Sequence, residues 1–89
     1  MNHSHVDQKV VNRLARIEGH VRSVREMVLS GRDCGEVLTQ IAAVRSALDN
    51  AGRVILVDHL EHCVSDAIQQ GHGQAAIDDL QTALKRFIG

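Results

Sequence analysis

Val10, Leu14, Ile17, Val21, Val24 and Val28 recur at alternating spacings of four and three residues. This heptad seam commits the start of the chain to an α-helix that packs its apolar stripe against another helix. Asp7 stands where such a helix should begin and Gly31 where it should end. A second helix is expected from about Asp33, an N-cap residue, with Glu36 three positions on as the other half of a capping box. Ile41, Val44, Leu48, Ala51 and Ile55 form its stripe, followed by Leu56, Leu60, Cys63 or Val64, and Ala67, as far as Gln69. The stripe slips by one residue near Gly52, which predicts a bend or a change of packing partner there. No proline interrupts it, so a helix of roughly 35 residues and about 50 Å is expected. Gly71-His72-Gly73 breaks the pattern, and Ile77, Leu80, Leu84, Phe87 and Ile88 mark a short amphipathic third helix.

The expectation is an all-α protomer of three helices, long, long and short, with residues 1–5 a mobile tail and 6–89 a single domain. A chain of 89 residues with one aromatic side chain, Phe87, has a marginal core of its own. A long central helix cannot be covered by its own short partners. Its remaining apolar surface therefore calls for another copy of the chain. Two cysteines cannot make a disulfide framework, and the chain opens on no secretory signal pattern. No apolar run is long enough to span a membrane. These features place it in the cytosol, where thiols stay reduced.

The formal net charge is −1, but it is unevenly spread. Residues 1–45 carry seven Lys/Arg against five Asp/Glu, a net +2, and residues 46–89 carry three against six, a net −3. Lys9, Arg13, Arg16, Arg22 and Arg25 crowd one stretch in which only Glu18 opposes them. Such a run reads either as a solvated helix face or as a surface for a polyanion.

His59 and Cys63 are four residues apart, so on a helix both side chains leave the same face as a two-point metal ligand. Cys34 lies 25 residues earlier, which on one continuous helix is about 37 Å of axis. Only an antiparallel neighbouring subunit could bring a Cys34 to that pair, so a shared site implies a homodimer. Two thiolates and one imidazole form a soft set of three. That set suits Cu(I), whereas structural Zn(II) takes four ligands. The alternative is that a buried cysteine simply packs as a small hydrophobe. Met1-Asn2-His3 could bind Cu(II) or Ni(II) through the amine and the imidazole, with His5 as a further donor, or be a plain polar tail. No phosphate-binding glycine loop, nucleophile elbow or paired carboxylates point to an enzyme.

Over nearly its whole length the chain resembles the copper-sensitive operon repressors, the CsoR family. The resemblance rests on Arg13-Leu14-Ala15-Arg16-Ile17-Glu18-Gly19-His20, on Cys34 followed by Gln40-Ile41-Ala42-Ala43-Val44-Arg45, on His59-Leu60-Glu61-His62-Cys63, and on Gly71-His72-Gly73-Gln74-Ala75-Ala76-Ile77. It implies an antiparallel dimer and a disc-shaped dimer of dimers. It also implies that the metal-free protein binds operator DNA and that Cu(I) releases it. The implied ligands are Cys34, His59 and Cys63, and the implied DNA-contacting residues are Arg13, Arg16 and Arg45. Two positions depart from the family pattern. Asp79 stands for a glutamate beside the metal site, and Asp33 replaces the tyrosine that precedes the first cysteine in some members. The Cys…His-x-x-x-Cys pattern is that of the copper branch. A nickel sensor would use the same three residues with His3 or His5 added. Persulfide sensors use the two cysteines without the histidine, and formaldehyde sensors lack the second cysteine. Outside the family, a cytosolic copper-buffering protein is the competing reading, and the basic cluster on the first helix argues against it.

Overall fold

The computed structural model describes residues 7–58, 62 and 64–88, and all regular structure among them is helical. Four segments follow one another: α1 Gln8–Leu29, α2 Cys34–Asp58, α3 Ser65–Gln69 and α4 Gly73–Ile88. They fall into two compact units, Val6–Arg53 and the chain from Val54 onward.

In the first unit, α1 begins where its cap allows. Asp7 accepts a hydrogen bond from the Lys9 backbone N–H at 2.9 Å, satisfying one of the helix's orphan donors. At the other end, Gly31 takes a positive φ of 74°. The Arg32 N–H then reaches the Met27 carbonyl and the Gly31 N–H reaches that of Val28. This paired closure needs a left-handed residue at its centre, which glycine supplies without steric cost. The chain turns back into α2, which runs antiparallel to α1, with Arg13 and Ile17 near Ala47 and Asn50 and His20 near Gln40.

The heptad seam of α1 divides in two. Val10 and Ile17 are buried and Val24 is half-buried, whereas Leu14, Val21 and Val28 are exposed. Along α2, Ala51 is only 2% exposed. Val37, Val44 and Ala47 are half-buried, while Leu38 and Leu48 remain 64% and 48% exposed. Each helix therefore buries one stripe in the hairpin and leaves a second apolar stripe uncovered. No large side chain among the described residues is fully buried.

The expected second helix is represented by two elements. α2 is described as far as Asp58 and passes through Gly52 without interruption, and α3 spans Ser65–Gln69. Between them His62 and Val64 show the wider π-type pattern of hydrogen bonding. The stripe slips near Gly52 without a helix break, and the division between the two compact units falls beside it, between Arg53 and Val54. In the second unit α3 packs against α4. Gly71, at φ 80°, closes α3 with the same paired motif: the His72 N–H bonds the Ala67 carbonyl and the Gly71 N–H that of Ile68. Ala67 of α3 and Ala76 of α4 are buried, and Ile77, Phe87 and Ile88 are exposed.

Candidate functional site

Cys34 is the first residue of α2, and its thiol is free and exposed. The preceding Asp33 holds this turn in place. Its carboxylate accepts from the N–H groups of Gly35 at 3.0 Å and Glu36 at 3.3 Å, the N-cap geometry expected from the sequence. The reciprocal arm of the capping box is not made. Glu36 instead takes an ion pair with Arg32, 2.7 Å from Nη2, and a hydrogen bond from its Nε at 2.9 Å. Asp33, at the tyrosine position of some family members, thus has a local task in fixing the backbone beside the thiol.

Successive heptads place Cys34 in register with Ile41 and Leu48. The thiol therefore belongs to the uncovered apolar stripe of α2. Among the described residues no group of three or more His, Cys, Asp or Glu could hold a metal ion. His59 and Cys63 lie outside the described residues, as do His3 and His5. Their neighbour His62 is described. Its Nε2 lies 3.4 Å from Asp58 Oδ1, one helical turn back. Asp79 is exposed on α4.

The basic run of α1 separates by face. Arg13 and Arg16 stand with Ile17 and His20 along one side of the helix, and with Ala47 and Asn50 of α2 they line a shallow groove of about 180 Å³. Water takes up about 30 Å³ a molecule, so the groove has room for a small anionic group. By helical register Lys9 shares the side of Arg13 and Arg16, whereas Arg22 and Arg25 fall on another. Arg25 pairs with Glu26 at 3.5 Å. Arg45 is exposed and absent from the groove's lining. Its register on α2 places it with Leu38 and Ile41.

His20 is satisfied within the hairpin. Its Nε2 is 2.7 Å from Gln40 Oε1 in a half-buried hydrogen bond from α1 to α2. In the sequence Gln40 stands only as the first residue of the motif at 40–45, with no role of its own, and Asn50 carries no signal. The signal that could have found Gln40 was a polar residue three positions from Val37 and four from Val44, inside an otherwise apolar face.

The family profile described as "Metal-sensitive transcriptional repressor" matches residues 6–86. The copper-sensing transcriptional repressor CsoR of Bacillus subtilis is 44% identical over 89 residues, covering 98% of this chain and 88% of that protein. That of Mycobacterium tuberculosis strain H37Rv is 47% identical over 75 residues, covering 84% and 63%. The crystal structure of CsoR with Cu(I) from Geobacillus thermodenitrificans superposes with a TM-score of 0.90 at 35% identity, covering 99% of this chain and 95% of the other. The nickel-responsive regulator InrS superposes at 0.76 with 49% identity, covering 98% and 99%. The helical fold is thus that of a class of small metal-responsive regulators. The chain belongs to the metal-sensitive transcriptional repressor family, among relatives that carry the CsoR name.

Proposed function

We propose that this chain is a Cu(I)-responsive repressor that binds operator DNA when metal-free and leaves it when Cu(I) binds. The observation that carries the reading is the position of Cys34. It is an exposed thiol held at the start of α2, on an apolar stripe that the protomer leaves uncovered. A 25-residue helix is about 37 Å long, and that length separates Cys34 at its first residue from Asp58 at its last. A second copy, packed antiparallel on the exposed stripe, would bring its own Cys34 to His59 and Cys63 of the first. Two thiolates and one imidazole would form a soft three-donor site of the kind Cu(I) favours. The assembly is a homodimer at least and, by family resemblance, a disc-shaped homotetramer working in the cytoplasm. Asp79 would sit beside the metal ligands as a supporting carboxylate.

Arg13 and Arg16 would meet DNA phosphates in the groove, which positions a protein without reading sequence. Arg45 lies on another face of the hairpin, so it would join them through a neighbouring copy. Among the described residues no helix is long and apolar enough to cross a membrane. Identity of 49% to InrS favours a second reading, a nickel sensor that would recruit His3 or His5. Titrating the reduced protein with Cu(I), Ni(II) and Zn(II) while following DNA binding separates the two. Release at the lowest free Cu(I), in a three-coordinate site by X-ray absorption, supports the copper reading. Release by Ni(II) under reducing conditions that is lost in His3→Ala would replace it. A response to polysulfide that needs only Cys34 and Cys63 would point to persulfide sensing.

A further inference from the structure

We infer that the His20–Gln40 hydrogen bond is the register lock of the α1–α2 hairpin and the link that couples the Cys34 turn to the arginine groove. This inference rests on the reading of Cys34 as a metal ligand and of Arg13 and Arg16 as DNA contacts. Among the described residues it is the one side-chain hydrogen bond between α1 and α2. The other buried or half-buried side chains of the hairpin, Val10, Ile17 and Val24 on α1 and Val37, Val44, Ala47 and Ala51 on α2, are apolar and mostly β-branched or small. Apolar packing is non-directional, so such a seam resists separation better than sliding. A single polar pair beside an apolar seam is what fixes axial register between helices. The bond is 2.7 Å long, and a slide of one helical turn, about 5.4 Å, would carry the pair well beyond hydrogen-bonding distance.

The location gives the lock its second role. Gln40 lies beside the α1–α2 turn, where it lines a surface hollow with Asp33, Gly35, Glu36 and Thr39. His20 lines the groove with Arg13 and Arg16. Cys34 and Gln40 are six residues apart on α2, about 9 Å of axis, and His20 and Arg16 are four apart on α1, about 6 Å. Both lever arms are single helices, which move as rigid bodies over such distances. A shift of the first turn of α2, when its thiol is drawn toward a ligand, therefore reaches Gln40. The hydrogen bond passes it to His20 and so to the spacing and tilt of the two guanidinium groups. Without the bond, α2 can slide on the seam and the arginines stay where they were. His20 and Gln40 are positioning residues here and touch neither ligand.

The test is Gln40→Met, which keeps length and helix propensity but removes the carbonyl acceptor. Cu(I) affinity, affinity for a duplex enriched from a random pool by the metal-free protein, and the ratio of duplex affinities without and with Cu(I) are measured on the intact assembly. Gln40→Met should leave the two separate affinities within about threefold of the parent and reduce the coupling ratio at least tenfold. The swap His20→Gln/Gln40→His, which can rebuild a bond, should recover much of that ratio. A parent-like ratio in Gln40→Met overturns the inference. So does a loss of both separate affinities with the ratio intact, which would mark a purely structural role. A parent protein with no coupling at all would overturn the repressor reading itself, and the inference with it.

Discussion

Asp33 shows how much one side chain can decide beside the proposed metal site. Its two hydrogen bonds to the first turn of α2 fix the backbone that presents Cys34. Asp33→Ala should lower stability by about 1 kcal/mol, read as a reduced unfolding midpoint, with Asp33→Asn close to the parent. The same variant should weaken Cu(I) binding modestly, and Cys34→Ala should weaken it severely. Equal Cu(I) affinities in the parent and Cys34→Ala would remove Cys34 from the site. The arginines make a separate prediction. Arg13→Ala or Arg16→Ala should weaken DNA binding and flatten its salt dependence, by about 0.9 in the log–log slope for each phosphate no longer neutralised. Cu(I) affinity should stay unchanged in both. Unaltered salt slopes would mean that the groove of Arg13 and Arg16 does not meet DNA.

At the scale of the helices, the two halves of the α1 seam should behave differently on mutation. Ile17 is buried in the hairpin, so Ile17→Ala should cost about 2–3 kcal/mol of stability. Leu48 is exposed in the protomer, and Leu48→Lys should instead dissociate the assembly, read by sedimentation. An unchanged mass for Leu48→Lys would show that its stripe is not an interface. The heptads, the Asp7 and Asp33 caps and the Gly31 and Gly71 stops were legible because each is a local signal of a few residues. Which half of the seam faces inward was not, since Val10 and Leu14 are equivalent in the pattern and only the partner helix distinguishes them. The split of the basic run follows from helical register alone. The hydrogen-bonding role of Gln40 was illegible because its partner is 20 residues away.

For the whole molecule, the proposed Cys34–His59–Cys63 site would be a property of the assembly rather than of one chain. Mixing Cys34→Ala chains with His59→Ala/Cys63→Ala chains should restore one intact site per heterodimer, read as recovered Cu(I) affinity. A mixture no tighter than its components would argue that the ligands come from one chain. The charge balance fits the same scale, since a protomer of net charge −1 repeated by symmetry also repeats its arginine groove. Repression ends on metal binding only if Cu(I) prefers the DNA-free form, and linkage then requires DNA to weaken Cu(I) binding by the same factor. The most direct test is the Cu(I) affinity of the intact assembly, measured with and without saturating operator duplex. Cu(I) binding should be at least tenfold weaker on DNA, matching the loss of DNA affinity caused by Cu(I). Equal affinities would contradict the account, because a metal site and a DNA face that do not sense each other cannot make a metal-responsive repressor.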